Sequence, residues 1–212
     1  MRLEAITWER LTDALVERVL RTTADDGSPW LRVAIDGAPA ARPDALAARL
    51  AEGLRVRGRS VHKAGTHGFL RPASLRLEYG KEDPDAYYDE WFDRRALWRE
   101  VFQPLEPGGT GRVLPDLWDP VTDRATRSGY RELPPGGVLL LHGPLLFGHW
   151  FPFDLSVHVK LSPAALARRS PDGERWTLPA FARYEDEVRP EEVADVVVRA
   201  DDPRHPAWSG AG

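Results

Sequence analysis

The stretch "RVAIDGAPAARPDALAARLAEGL", from Arg32 to Leu54, decides how this chain is read. Its opening residues, part of "WLRVAID", are β-branched and apolar, as in a buried strand. "GAPAAR" is a turn of small residues. "PDALAARLAEGLRVRG" is a helix with Pro43 at its first position and Leu46, Leu50 and Leu54 along one face. Strand, turn and helix in this order are the layout in which a helix N-terminus cradles phosphate, and the complete cradle reads G-x-x-x-x-G-K-[ST]. Counted from Gly37, this chain supplies Gly37, Ala38, Pro39, Ala40, Ala41, Arg42, Pro43 and Asp44. The first glycine is present. Arg42, Pro43 and Asp44 stand at the places of the second glycine, the lysine and the hydroxyl residue.

Outward from this stretch, strands and helices alternate. "ITWERLTDALVERVL" places Leu11, Leu15 and Val19 at i, i+4 and i+8, an amphipathic helix broken by "TTADDGSP". "RSVHKAGT" reads as a second strand and "HGFLRPASLRLEYGKEDP" as a loop. "PDAYYDEWFDRRALWREVFQPL" reads as one kinked helix or two adjacent ones, stopped by Pro104 and the following "PGG". "TGRVLPDLWDPVTDRATRSGYREL" alternates weakly and is rich in turn residues, so it is a hairpin or excursion. "GVLLLHG" and "FDLSVHVKL" are apolar strands, the first a continuous run that needs cover on both faces. "SPAALARR" starts a helix capped by Ser162, "LPAFARYEDEV" is helical, and "ADVVVRA" is a last strand. Alternation of this kind predicts an α/β fold, a mainly parallel sheet flanked by helices. Ligands then sit beyond the carboxyl ends of the strands, where Gly37, His67, His142 and Lys160 fall.

The chain of 212 residues is long enough for one sizeable α/β domain. It has no cysteine, which excludes disulfides, thiolate metal sites and a cysteine nucleophile. A net charge of −4 with no basic patch argues against a nucleic-acid partner. No charged-then-apolar leader is visible, and no apolar run approaches the ~20 residues of a membrane span. A cytoplasmic protein with no membrane partner is the expectation. The tail "DDPRHPAWSGAG" is expected to be disordered.

In order and spacing, several stretches resemble the uridine kinase-like branch of the P-loop nucleoside kinases, of the actinobacterial type. "RVAIDG" is similar to that family's strand into its phosphate loop, and "HGFLRP" to its D-[GD]-F-H-R-P loop. "GKEDPDAYYDEWFDRRAL" is similar to its Tyr-Tyr helix region, the densest match. "VLLLHGPLL", "FDLSVHVKLSP" and "RYEDEVRPEEVADVVV" are similar to its later strands, lid approach and terminal elements. The resemblance covers about Leu31 to Pro203. It implies a P-loop kinase-like three-layer sandwich with a small hairpin excursion and a lid around 164–182. Residues 1–28 are expected to be an N-terminal helix and linker, 29–203 the single domain, and 204–212 a flexible tail.

The resemblance also implies roles. ATP sits on the phosphate loop at Gly37, Arg42, Pro43 and Asp44. The acid that takes the sugar hydroxyl proton falls at His67, and the acid that helps hold Mg²⁺ at His142. Arg168 and Arg169 occupy the lid position, and Phe69, Arg71, Tyr87, Tyr88 and Asp93 the substrate pocket. The departures fall on the chemistry. Pro43 brings neither the lysine charge nor a backbone N–H. Arg42 keeps the backbone further from a phosphate than glycine would. Asp44 favours a helix N-terminus and repels an anion there.

Three functions follow as expectations. The first is a uridine kinase-like protein that has lost ATP-dependent phosphoryl transfer and keeps a small-molecule, nucleoside-like pocket. The second is an active kinase using ATP and Mg²⁺, with Arg42, Arg168 and Lys160 supplying charge and His67 as base. The third is a non-kinase enzyme. There Asp44, His67 and His142 form a two-histidine, one-carboxylate set for a transition metal. Outside these sets, His62, His149, His158 and His205 read as ordinary polar residues. Tyr87, Tyr88, Trp91 and Phe92 fit either a pocket wall or a core.

Overall fold

A computed structural model describes residues 3–209. In chain order it contains β1 (Glu4–Ala5), α1 (Trp8–Arg21), β2 (Leu31–Asp36), α2 (Pro43–Val56) and β3 (Val61–Gly65). Then come α3 (Ala73–Arg76), α4 (Pro84–Asp89) and α5 (Arg94–Leu97). The excursion holds β4 (Arg112–Val113), β5 (Trp118–Asp119), β6 (Arg124–Ala125) and β7 (Arg131–Glu132). The chain closes with β8 (Val138–Gly143), β9 (Leu155–Lys160), α6 (Pro163–Arg169), α7 (Leu178–Glu187), α8 (Pro190–Val193), β10 (Val196–Arg199) and β11 (Ala207–Ser209).

The main sheet has the order β1-β11-β10-β9-β2-β8-β3. Five of its strands, from β10 to β3 in that order, are parallel, with β3 at one edge, and β11 and β1 add an antiparallel edge at the other. Side chains of a strand alternate between faces, so each inner strand feeds two cores. Leu31, Val33 and Ile35 face a core with Leu140, Val157 and Val198, covered by Leu15 of α1 and Leu46, Leu50 and Leu54 of α2. Ala34, Leu139 and Leu141 face the other core, covered by Tyr87, Leu97, Phe102 and Phe181. The result is three layers, helix, sheet and helix, as expected from the continuous apolar strands.

Local chemistry sets the helix ends. Thr7 caps α1 through its hydroxyl, which accepts from Arg10 N at 3.3 Å. Ser162 caps α6 by accepting from Ala165 N at 3.3 Å, the predicted role. The "PDAYYDEWFDRRALWREVFQPL" segment resolves into α4 and α5. α5 runs on through a wide π turn at Trp98–Phe102 and a tight turn at Gln103–Leu105. The excursion is a short hairpin, β5 with β6, nested within a second antiparallel pair, β4 with β7.

The N-terminal helix packs onto the domain, with Leu11, Leu15 and Val19 wholly buried in the first core. Gly53 of α2 lies so close to α1 that a Cβ there would meet Val16 Cγ2 at 2.8 Å. The tail expectation fails over 207–209, which form β11 between β10 and β1; residues 210–212 lie outside the described residues. Trp8 Nε1 donates to Pro203 O at 2.8 Å and fastens the approach to that strand.

At the amino end of β2 the guanidinium of Arg32, 2 % exposed, is clasped by two carboxylates. It donates to Asp154 from Nε at 3.0 Å and Nη2 at 2.8 Å, and to Asp26 from Nη1 at 2.8 Å. Truncating one partner of a buried pair leaves an uncompensated charge. Arg32→Ala should therefore lower unfolding free energy by about 3–5 kcal/mol in urea denaturation. Joint replacement by Arg32→Met and Asp154→Leu should recover much of that loss.

Candidate functional site

The turn after β2 is closed on itself. Pro39–Ala41 form a 3₁₀ turn in which Ala41 N donates to Ala38 O at 2.8 Å and Arg42 N to Pro39 O at 3.0 Å. Two N–H groups of the turn are therefore already spent on the protein's own carbonyls, and Pro39 and Pro43 carry none. Arg42 adopts the left-handed conformation, φ 60°, that a glycine would take with less strain. Its guanidinium turns onto the next turn of chain, donating to Asp44 Oδ1 at 3.0 Å and Oδ2 at 3.2 Å. The two departures thus neutralise each other at the surface. Gly37 does retain a close-approach role: a Cβ there would meet Val159 O at 2.7 Å.

His67 lies in the turn after β3 and His142 at the end of β8, the strand that pairs with β3. The His142 ring lies over Gly65, where a Cβ would meet its Cε1 at 2.7 Å. Burial pushes its pKa down to about 4, helped by Lys63 and opposed by Asp44. His67 is exposed to a cleft, and desolvation by the cleft walls holds its pKa below the ordinary value, with Glu174 and Asp44 opposing. The metal expectation is corrected. Among the described residues no three His, Asp or Glu side chains converge closely enough to hold a metal ion. Asp44 pairs with Arg42 at the surface.

The expected substrate residues are packed rather than open. Phe69 is wholly buried. Tyr87 sits among Trp91 at 5.4 Å, Trp176 at 5.6 Å and Phe181 at 5.9 Å between ring centroids. Trp176 comes from the lid segment and also meets Trp91 at 5.3 Å, so the lid plugs this region with its own indole. Tyr88 donates to Glu187 Oε2 at 3.2 Å and carries the Arg183 guanidinium 4.2 Å above its ring. Asp93 is a helix cap, accepting from Ala96 N at 2.8 Å. Arg71 pairs with Glu90. In the lid, Arg169 donates to Asp201 O at 2.6 Å and Arg168 is exposed.

What remains open beside His67 is a cleft of about 830 Å³ between the 3₁₀ turn at Thr66–Phe69 and the β5–β6 hairpin. Asp116, Trp118, Asp119, Thr122 and Arg124 line it.

Sequence reasoning missed a second constellation. Asp36, wholly buried at the end of β2, is the register partner of His158 on β9. His158 Nδ1 donates to Asp36 Oδ2 at 2.6 Å, and Asp36 Oδ1 accepts from Leu146 N at 2.9 Å. Burial opposes charge on His158, but Asp36 and Glu185 outweigh it and push its pKa up to about 9. Lys160 donates to Glu185 at 2.9 Å and to Glu191 at 2.5 Å, so it is committed and not free for a phosphate. The signal in the sequence was an aspartate ending an otherwise apolar strand. Its partner was visible only through strand register.

No protein-family model and no curated protein matches this sequence. Solved structures do. One described as a possible uridine kinase from Bacillus stearothermophilus superposes with a TM-score of 0.70 at 23% identity, covering 89% of this chain and 97% of that one. A provisionally assigned fructose transport system kinase from a Silicibacter species gives 0.61 at 24% identity, covering 89% and 95%. The chain therefore has the P-loop kinase-like fold, with the α/β architecture the strand order defines. No helix among the described residues is long and apolar enough to cross a membrane.

The histidines define a pH profile. His158, raised from 6.5 to about 9, contributes stability that is complete below pH 6.5 and is lost as pH rises through 9. His62, His142 and His149, each lowered to about 4 with burial as the main cause, contribute stability present above pH 6.5 and lost as pH falls towards 4. Urea unfolding across pH 4–10 should give maximal stability near pH 6.5. Stability still rising between pH 7 and 9 would contradict the His158 assignment.

Proposed function

We propose that this chain is a uridine kinase-like scaffold that no longer transfers phosphate from ATP and holds a small hydroxylated ligand, nucleoside-like or sugar-like, in the cleft beside His67. The observation that carries the first half is the self-closed turn at Ala38–Asp44, a degenerate form of the phosphate loop. Phosphoryl transfer is catalysed almost wholly by positioning and charge neutralisation. Removing one such donor typically costs about 10²–10³ in rate. Here the resemblance puts Pro43, Asp44, His67 and His142 at the places of a lysine, a hydroxyl and two acids, and Arg42 and Lys160 are bound to carboxylates of this same chain.

The second half rests on the cleft's chemistry. Asp116 accepts from Ser128 Oγ at 2.6 Å and Asp119 from Thr122 Oγ1 at 2.7 Å. A carboxylate has about four lone-pair positions, so each keeps acceptors for ligand hydroxyls. His67 and Trp118 offer a ring nitrogen and an aromatic face. The two solved neighbours are described as acting on uridine and in fructose transport, both hydroxylated. The nucleoside reading shifts from Tyr87 and Tyr88 to this cleft because Trp176 fills the former region.

The test pairs binding with turnover. Saturation-transfer NMR with uridine and with fructose should show binding by at least one. His67→Ala and Asp116→Asn should each weaken it at least tenfold. ADP release from ATP–Mg²⁺ with either compound should stay at background. Release dependent on uridine or fructose would establish an active kinase instead. Binding untouched by both substitutions would move the ligand elsewhere.

A further inference from the structure

On the opposite side of β2 from the His67 cleft, between the phosphate turn and the lid, lies a separate cavity of about 470 Å³. Ala38, Leu161, Leu166, Leu178 and Phe181 wall it, and His158, Tyr184 and Glu185 bring the polar groups. Its size falls in the range of small-molecule sites, about 300–1,000 Å³.

We propose that this cavity is a binding site for a small uncharged molecule with an apolar body and one hydroxyl, an alcohol or a phenol. The hydroxyl oxygen accepts a hydrogen bond from His158 Nε2–H and its proton is donated to Glu185. The site is independent of whether phosphoryl transfer has been lost.

Three observations select this chemistry. The first is an orphan donor. His158 is 4 % exposed, and its Nε2 has no hydrogen-bond partner. The ring cannot turn to find one, because Nδ1 is held by Asp36 at 2.6 Å and Asp36 is held in turn by Leu146 N. A buried donor left unmade is unfavourable, and an acceptor brought by a ligand removes that penalty.

The second is spacing. Glu185 Oε1 stands 3.7 Å from His158 Nε2, too far for a direct hydrogen bond. A single oxygen lying about 2.8 Å from each would meet both. A hydroxyl can accept from one and donate to the other, whereas an ether or a ketone can only accept.

The third is charge. Around the polar end, His158, Lys160 and Arg199 face Asp36, Glu185 and Glu191. Three cations meet three anions, and each is engaged with another of the set. A charged ligand would enter an apolar cavity with no unspent counter-charge, which is unfavourable. An uncharged one meets apolar walls and a single polar station.

Fluorescence titration of the full chain with 1-naphthol, naphthalene and 1-naphthoate reads the three arguments separately. The expected order is 1-naphthol tighter than each of the others by at least tenfold. Leu178→Trp, which fills the cavity from the lid without touching the Asp36–His158 pair, should weaken 1-naphthol at least tenfold. Should that variant fail to fold, the unmodified protein still decides. 1-Naphthol should shift the His158 Nε2 resonance in imidazole-detected nitrogen NMR and leave that of His142 in place. No binding, equal affinity for naphthalene, tighter binding of 1-naphthoate, or an unmoved His158 signal would each overturn the proposal.

Discussion

The carboxylate of Asp36 is the constraint on which the centre of this molecule depends. It is wholly buried at the end of the central strand and reaches two segments at once, the loop after β8 through Leu146 N and strand β9 through His158. A buried charge persists only when it is paired and hydrogen-bonded. Asp36 has both, and its partners fix how β2, β8 and β9 end relative to one another. Those three strand ends are where the phosphate turn, the loop carrying Leu146 and the approach to the lid begin. Tyr184, whose hydroxyl accepts from Phe147 N at 3.0 Å, ties α7 to the same place.

From this centre the two sides of the sheet diverge in chemistry. Toward β8 and β3 lie His142 and His67, an open cleft with carboxylates, and a region where the lid's Trp176 fills the space around Tyr87. Toward β9 lies an apolar cavity with one unsatisfied imidazole nitrogen. Between them lies the turn after β2. Two of its N–H groups, those of Ala41 and Arg42, bond its own carbonyls, its arginine bonds its own aspartate, and α2 starts on Pro43 as many helices do. Proline lacks an N–H and aspartate is negatively charged, and both features suit a helix start.

Much of the fold was legible in the sequence because it rests on local patterns. Continuous apolar runs announced the inner strands, the Leu46, Leu50 and Leu54 stripe announced α2, and Ser162 announced its helix. What stayed hidden depends on contacts distant along the chain. Asp36 and His158 are 122 positions apart and meet only through parallel register. Trp176 reaches Tyr87 across the lid, which no spacing rule reports. β11 escaped because three residues among prolines and glycines carry little strand signal, and pairing with both β10 and β1 decides the outcome. His67 and His142 follow adjacent strands, β3 and β8, while Asp44 pairs with Arg42, two residues away.

The fold is that of the P-loop kinases, and we propose that its triphosphate cradle is lost. Isothermal titration calorimetry of the full chain with ATP–Mg²⁺ tests it most directly. The predicted result is no saturable heat at millimolar nucleotide. Binding with a micromolar dissociation constant, weakened by Arg42→Ala, would contradict it.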